Sequence, residues 1–171
     1  MTDNTDVSGD QPPGVGYEPI WDVHGAGVIE VGIDITEIDR VRDMLAYHGE
    51  RFLQRCFTPR EVARYGKRPQ ELAVRFAAKE ATMKTLGTGV YGIRWKDIET
   101  LPNAWGKPIL VLHGTALRRA TKLGFQHFTV SLTHARDDAM ATVIAWKPAA
   151  SVGTASPAPA VTPGTDTEAN A

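Results

Sequence analysis

The sequence predicts an α+β domain with a mainly antiparallel sheet, and three observations support that fold class. A run rich in β-branched residues, Val28–Ile33, has the character of a strand. Helical patterns then follow one another without a strand between them. Near the end, Phe128–Thr133 and Ala139–Trp146 alternate apolar and polar residues, as the strands of a hairpin do. The predicted order is βαααββαββ, which favours a layer of helices on an antiparallel sheet.

A single domain over residues 26–147 is expected from the chain of 171 residues. The flanking segments differ from it in composition. Residues 1–25 are rich in Gly, Pro and Asp, and residues 148–171 are rich in Ala, Pro and Thr. Neither segment can bury much apolar surface, so we expect a flexible N-terminal extension and a disordered C-terminal tail.

Composition indicates a cytoplasmic protein. The hydrophobic fraction of 42% and the charged fraction of 23% are typical of a globular domain rather than of a disordered or fibrous chain. The only cysteine, Cys56, closes no intrachain disulfide. No apolar run approaches the roughly 18–20 residues that span a bilayer, and the N-terminus lacks the basic and apolar regions of a secretory signal. We therefore expect no membrane partner.

The predicted domain is basic although the whole chain has a net charge of −1. Residues 26–147 contain all 19 basic residues and 13 of the 20 acidic ones, which gives +6. Residues 51–75 alone contain seven basic and two acidic residues. This asymmetry favours an anionic partner, although a solvated basic face would show the same pattern.

The first predicted helix starts at about Thr36 and has two different faces. Its apolar positions share one side: Ile38, Val41, Leu45 and Phe52. The opposite side carries Arg40, Met44, Tyr47 and Arg51. Apolar residues among arginines are typical of a protein-docking face, although singly exposed apolar residues are also ordinary.

Further helices and strands are predicted from caps and turns. Thr58-Pro59-Arg60-Glu61 has a capping residue, Pro at the first helical position and Glu at the third. A long helix is expected from Pro69 to Leu86, with Gly87 as its cap. Strands near 97–101 and 108–113 flank a turn at Asn103–Lys107. A short helix, Gly114–Leu123, ends at Gly124.

Two carboxylates and a lysine are the candidate chemical groups. Asp34 is predicted at a strand end directly before a helix, where it could also serve as a helix cap. Along the long helix, Ala73, Ala77, Glu80 and Lys84 form a stripe beside the apolar stripe of Leu72, Phe76 and Met83. An exposed Glu80–Lys84 pair at i,i+4 spacing would stabilise the helix and need have no other role.

The loop after this helix supports a functional interpretation. Gly87-Thr88-Gly89 can turn backbone N–H groups toward a phosphate, although helix caps favour glycine anyway. Asp and Glu oxygens suit Mg²⁺, which often completes its coordination with substrate phosphates. The carboxylates, the lysine and the glycine loop together indicate a hard cation and a polyphosphate.

Five segments, in order along residues 28–146, resemble motifs of the bacterial holo-acyl-carrier-protein synthases, a family of 4′-phosphopantetheinyl transferases. The segments are Gly32–Val41; Phe57-Thr58 with Glu61; Arg75–Ala81 followed by Lys84 and Gly87–Gly89; Gly106–Pro108; and Ser131–His134. The resemblance implies a compact α+β subunit that assembles as a homotrimer. It also implies that coenzyme A lies in the cleft between neighbouring subunits.

The same resemblance implies roles for individual residues. Asp34 and Glu80 would bind Mg²⁺, and with Lys84 they would form the catalytic set. Coenzyme A would contact seven residues: Lys84, Gly87, Thr88, Gly89, Lys107, Pro108 and His134. For His134, a strand-end residue bonded to backbone is an equal alternative. Arg40, with its helix neighbours Met44, Tyr47 and Arg51, would dock the acyl carrier protein.

The implied reaction is transfer of phosphopantetheine from coenzyme A to a serine of apo acyl carrier protein, in support of fatty acid biosynthesis. A metal-polarised water, Glu80 or a phosphate oxygen could take the serine proton. A Mg²⁺-dependent hydrolase of phosphoesters would also explain the carboxylates and Lys84, but not the basic face or the motif order. A nucleic-acid-binding module is disfavoured, because few aromatic residues are interleaved with the basic ones.

Overall fold

The computed structural model describes residues 27–148, and the chain within them forms five strands and four α-helices. The strands are β1 (Val28–Glu37), β2 (Ile98–Pro102), β3 (Pro108–Leu112), β4 (His127–His134) and β5 (Asp138–Lys147). The helices are α1 (Ile38–Cys56), α2 (Pro59–Tyr65), α3 (Pro69–Thr85) and α4 (Gly114–Leu123). A 3₁₀ turn, Trp95–Asp97, precedes β2. The predicted order of elements is therefore confirmed.

All strand pairs in this region are antiparallel. One sheet has the order β1-β5-β4, and β2 pairs with β3 in a second sheet. The β1–β5 ladder runs from Val28 opposite Lys147 to Glu37 opposite Asp138. β1 is the first strand of the described region, and it pairs with β5, the last. The ends of β1 are therefore determined by residues far away in the sequence. Antiparallel sheets combined with helices confirm the α+β class.

Helix α3 is the centre of the core. Its residues 72–79 are all buried, between α1 on one side and the three-stranded sheet on the other. Gly32 of β1 packs directly on this helix, since a Cβ at that position would lie 2.0 Å from the carbonyl oxygen of Ala81. The last turns of α3, at Ala81 and Thr85, thus accommodate the backbone of a strand, and Gly32 is required by this close approach.

Two element boundaries differ from the sequence-based predictions. β1 continues through Asp34 to Glu37, because the pairing with β5 extends that far, and α1 begins only at Ile38. Helix α1 also contains a kink at Gly49, whose φ is 48°. A side chain would be strained there, so glycine permits the change of direction. The predicted apolar stripe of α1 is nevertheless confirmed, with Ile38, Val41 and Phe52 buried.

A buried ion pair joins α2, α3 and β2. Lys79 Nζ lies 2.8 Å from Glu61 Oε2, and both side chains are fully buried. The predicted capping box of α2 is present, and through it Glu61 also accepts a hydrogen bond from Thr58 N. Glu61 accepts another from Thr100 N, so its carboxylate is well satisfied.

No helix within residues 27–148 has the length and apolarity needed to cross a membrane. The predicted extensions, residues 1–25 and 148–171, lie outside the described residues except for Pro148.

Candidate active site

Asp34 and Lys84 meet at the side of the sheet that faces α3. The carboxylate of Asp34 is buried, and its Oδ1 accepts a hydrogen bond of 2.9 Å from Lys84 Nζ. The hydroxyl of Thr36 donates to Oδ2 over 3.1 Å. Asp34 does not cap the following helix, because Glu37 holds that position. The carboxylate is therefore held inside the strand, pointing at α3.

Lys84 also donates to the carbonyl oxygen of Ile33 over 2.8 Å. Its ammonium thus binds across to β1, and the ion pairs among the described residues do not include a Glu80–Lys84 pair. The side chain is still 54% exposed. The ammonium group of Lys84 is therefore held by β1 and is also accessible to an anionic ligand from solvent.

Glu80 lies one turn before Lys84 and completes the cluster. Partial burial, the charge of Asp34 and a hydrogen bond with that carboxylate raise the pKa of Glu80 to about 7. Arg40 and Lys84 act in the opposite direction but do not cancel the effect. Two carboxylates this close repel one another in their charged forms, so the pair favours either a proton or a cation between them.

The glycine loop borders a cleft of about 310 Å³ beside this cluster. Lys84 and Gly87 line it, together with Glu30, Arg119 and Lys147 among its charged residues. Gly87 and Gly89 have φ values of 65° and 54°, which glycine adopts without strain. Leu86 is the cap residue of α3, and Gly87 follows it rather than forming the cap itself.

Other residues assigned to coenzyme A lie in a different place. Pro108 and His134 line a second pocket of about 190 Å³, with Gly106, Glu71 and Arg75. Lys107 is exposed in the adjoining turn. Glu71 and Lys84 are separated by 13 residues of α3, about 20 Å along the helix axis. The single chain therefore does not bring all seven predicted residues into one cavity.

Arg75 is a site candidate to which the sequence analysis gave no role. Its side chain is buried, stacks 3.8 Å from the ring centre of Tyr65 and pairs with Glu71. Its Nε nevertheless has no hydrogen-bond partner among the described residues. The motif Arg75–Ala81 contained this arginine, but only the fold shows that it lines the second pocket.

Arg119 and Lys147 were also missed. Arg119 Nε donates to the carbonyl oxygen of Leu86 at the end of α3, and Lys147 Nζ donates to that of Leu123 at the end of α4. Both cations therefore stabilise helix C-termini while lining the first cleft. No sequence motif marks them, since they come together only through packing of α4 and β5.

The residues predicted to dock a protein lie along α1. Tyr47 is 84% exposed, and Arg40 and Arg51 are also exposed. Met44 and Arg51 line a cleft of about 440 Å³, and its other lining residues are His48, Phe52, Arg55, Cys56, Phe76 and Trp95. Tyr47 does not line this cleft. The kink at Gly49 separates Arg51 from the first part of the helix.

The candidate metal site contains only two carboxylates, those of Asp34 and Glu80. No cluster of three or more His, Cys, Asp and Glu side chains occurs within residues 27–148. Asp34 and Glu80 offer two carboxylates, which is a donor set that Mg²⁺ uses when substrate oxygens and water supply the remaining ligands. The mutual repulsion of these carboxylates is consistent with a site built for a cation.

Comparison with known proteins identifies the family to which this chain belongs. The pattern of the 4′-phosphopantetheinyl transferase superfamily matches residues 30–143. The holo-(acyl-carrier-protein) synthase of Solibacter usitatus is 42% identical over 121 residues, which cover 68% of this chain and 97% of the relative. That of Nitratidesulfovibrio vulgaris is 48% identical over 120 residues, covering 68% and 97%.

Solved structures agree in fold. The Helicobacter pylori holo-(acyl-carrier-protein) synthase in complex with coenzyme A has a TM-score of 0.62 at 26% identity, over 67% of this chain and 98% of that one. The Bacillus anthracis enzyme in complex with coenzyme A has a TM-score of 0.57 at 32% identity, over 71% and 99%.

These similarities define a transferase of the phosphopantetheinyl type. The chain belongs to the 4′-phosphopantetheinyl transferase superfamily and, within it, to the holo-(acyl-carrier-protein) synthase family.

Proposed function

We propose that this enzyme transfers the 4′-phosphopantetheine of coenzyme A to a serine of apo acyl carrier protein. The observation that carries the proposal is the meeting of Asp34, Glu80 and Lys84 in a chain of this family. Lys84 lines the first cleft and contacts Asp34, which interacts with Glu80. Two acidic groups and a cation in this arrangement suit a pyrophosphate and its counter-ion, which are the reacting parts of coenzyme A.

Asp34 and Glu80 would hold Mg²⁺, and they fit it because two close carboxylates disfavour being charged together. When bound, the ion would neutralise negative charge on the pyrophosphate. Asp34, Glu80 and Lys84 together are the proposed catalytic residues.

The serine hydroxyl would attack the β-phosphorus of coenzyme A. A new P–O bond forms, the bond to the bridging oxygen breaks, and adenosine 3′,5′-bisphosphate leaves. Lys84 would stabilise charge on the phosphate oxygens, with Gly87, Thr88 and Gly89 approaching through the backbone. The serine proton must go to a base. Glu80 is one candidate within the chain, because its carboxylate lies beside Asp34 and Lys84; a metal-polarised water or a phosphate oxygen are the others.

The site would be shared between subunits of a homotrimer. The cleft at Lys84 and the pocket of Pro108 and His134 are both predicted to hold coenzyme A, yet they lie about 20 Å apart along one α3. A ligand held between the first cleft of one subunit and the second pocket of its neighbour would reconcile these positions. Lys107, beside that pocket, would join the contacts.

The outer face of the sheet supports association. Its β1 residues are half exposed although all are apolar: Ile29, Val31, Ile33 and Ile35. Met140 and Ile144 of β5 lie beside them and are more than one-third exposed. A contiguous apolar face of this kind is unusual on a monomer and is typical of a subunit interface. Sedimentation at low micromolar concentration is expected to give a trimer, and a fully active monomer would contradict the shared site.

The carrier protein would dock along α1. Arg40 lies near Glu80, and Arg51 borders the cleft that also contains Met44. A negatively charged partner would therefore meet cations at the rim and an apolar floor between them. Tyr47, exposed on the same helix, would extend the contact. Docking here would bring the serine of the partner toward Asp34. This activity supports fatty acid biosynthesis in the cytoplasm.

Incubation with apo acyl carrier protein, coenzyme A and Mg²⁺, followed by intact mass spectrometry, tests the proposal. The carrier protein should gain one phosphopantetheine, and adenosine 3′,5′-bisphosphate should appear in equal amount. Cleavage of coenzyme A without labelling of the carrier protein would instead indicate a hydrolase. Absence of both products would contradict the proposed activity.

A further inference from the structure

Trp105 is the most exposed large hydrophobic residue in the described region, with 91% of its surface open to solvent. It lies in the turn between β2 and β3. Indole is large and mostly apolar, so full exposure forfeits the free energy that its burial would provide. An isolated exposed residue needs no explanation, but an exposed tryptophan on a rigid turn beside a polar pocket is a candidate for ligand contact.

The turn that presents Trp105 is held in one shape. The side-chain oxygen of Asn103 accepts hydrogen bonds from Trp105 N over 2.9 Å and from Lys107 N over 3.0 Å. Asn103 N donates to the carbonyl oxygen of Lys107 over 2.9 Å, and Gly106 provides a φ of 83°. The indole is therefore carried by a preorganised backbone, which lowers the entropy lost when a ligand binds.

The adjoining residues line the second pocket. Gly106 and Pro108 belong to it, and across from them are His134 of β4 and Arg75 of α3. Arg75 is only 6% exposed, and its unpartnered Nε provides a buried donor in the pocket wall. Glu71 also lines the pocket and is paired with Arg75. An exposed aromatic ring beside a pocket that contains an unpartnered guanidinium donor suits a ligand that has both an aromatic part and hydrogen-bond-accepting oxygens.

We propose that Trp105 stacks on the adenine base of coenzyme A and so contributes to recognition of its nucleotide half. The inference rests on the proposed use of coenzyme A and adds a residue to it. Adenine offers a flat π-surface, and stacking on an aromatic side chain requires no hydrogen bonds from the turn. The phosphopantetheine half of the ligand has no aromatic ring and therefore gains nothing from Trp105.

Calorimetric binding to the full-length protein tests this role, with adenosine 3′,5′-bisphosphate and 4′-phosphopantetheine as separate probes. Trp105→Ala should raise the Kd for the bisphosphate about tenfold and leave that for phosphopantetheine unchanged. Trp105→Phe should retain most of the affinity, because a smaller ring still stacks. Leu117→Ala, at an exposed apolar position of α4 outside both pockets, is the matched control and should change neither Kd.

Unchanged bisphosphate affinity in Trp105→Ala would overturn the inference, as would equal weakening of both probes. A raised KM for carrier protein alone would assign the indole to that partner. A change in sedimentation alone would assign it to a subunit contact. If the wild-type protein labels carrier protein while Trp105→Ala binds the bisphosphate normally, this inference fails and the proposed function stands. If the wild-type protein fails to label carrier protein, the proposed function fails independently of Trp105.

Discussion

Lys84 Nζ lies 2.9 Å from Asp34 Oδ1, and this contact joins β1 to the last turn of α3. The two residues are 50 positions apart in the chain. The interaction brings one proposed metal ligand and one proposed phosphate ligand to the same place. It also means that changing either residue alters the environment of the other, so their variants must be compared with suitable controls.

Replacing Lys84 with alanine should weaken the handling of coenzyme A. A charged hydrogen bond to phosphate contributes about 1.5–3 kcal/mol, so kcat/KM for coenzyme A should fall at least tenfold. Lys122→Ala removes an exposed cation from α4 and should have little effect. Steady-state kinetics with coenzyme A varied provide the measurement. Full activity together with a small loss of stability would show that Lys84 serves only to brace β1.

Replacing Glu80 with glutamine should abolish transfer but stabilise the metal-free fold. The variant removes a carboxylate whose pKa is raised to about 7 by partial burial and by the charge of Asp34. Because the side chain is only partly buried, the gain in free energy of unfolding near pH 7.5 should be about 1 kcal/mol. Thermal melts in EDTA and transfer assays test the two effects. Asp43→Asn, at an exposed site on α1, should alter neither.

Asp34→Ala should likewise abolish transfer while leaving a folded protein. Retention of near-normal turnover at low Mg²⁺ by either the Asp34 or the Glu80 variant would contradict the proposed assignment of these carboxylates.

Reversing the charge of Arg40 should affect the carrier protein selectively. Arg40→Glu should raise KM for carrier protein about tenfold and that for coenzyme A much less, because exposed charges act on encounter and are screened by salt. Arg118→Glu on α4 is the matched charge reversal. Met44→Ala should weaken docking without changing its salt dependence. Kinetics at two ionic strengths distinguish these cases, and equal changes in both KM values would locate the docking face elsewhere.

Breaking the buried Lys79–Glu61 pair should severely destabilise the fold. Lys79→Met leaves the carboxylate of Glu61 buried without its cation, at an expected cost of about 3–5 kcal/mol. The double variant with Glu61→Gln should recover part of that loss, since the unpaired charge is gone. Urea unfolding of the single and double variants measures the coupling. Additive losses would mean that the pair contributes no specific interaction.

Asp97 should provide stability that depends on pH. Burial alone would raise its pKa, but hydrogen bonds from the side chain and backbone of Thr115 and the nearby Arg94 guanidinium lower it below the ordinary value of 3.8. Because the folded-state pKa is depressed, this stability is present above pH 3.8 and is lost as pH falls through the folded-state pKa.

Asp97→Asn should therefore cost about 0.5–2 kcal/mol at pH 7, as the loss of a helix cap does. Denaturant unfolding from pH 7 down to pH 2.5 measures the difference, which should shrink at the acid end. A difference that stays constant with pH would indicate a purely geometric role.

The sequence by itself determined the order of the elements and the residue types of the site. Local signals were sufficient for these features: the capping box at Thr58, the glycine after α3 and the alternation in β4 and β5 all act over a few residues. The motifs also placed Asp34, Glu80 and Lys84 in one functional group.

Only the tertiary structure decided what those residues contact. Asp34 lies inside β1 rather than at its end because the strand pairs with β5, more than 100 residues later. Lys84 contacts Asp34, rather than Glu80 one turn away, because Gly32 allows β1 to pack against α3. Arg75, Arg119 and Lys147 line their pockets because α3, α4 and β5 pack together in the folded domain. Contacts between distant segments depend on packing of the whole domain, so they cannot be predicted from the local periodicity of the sequence.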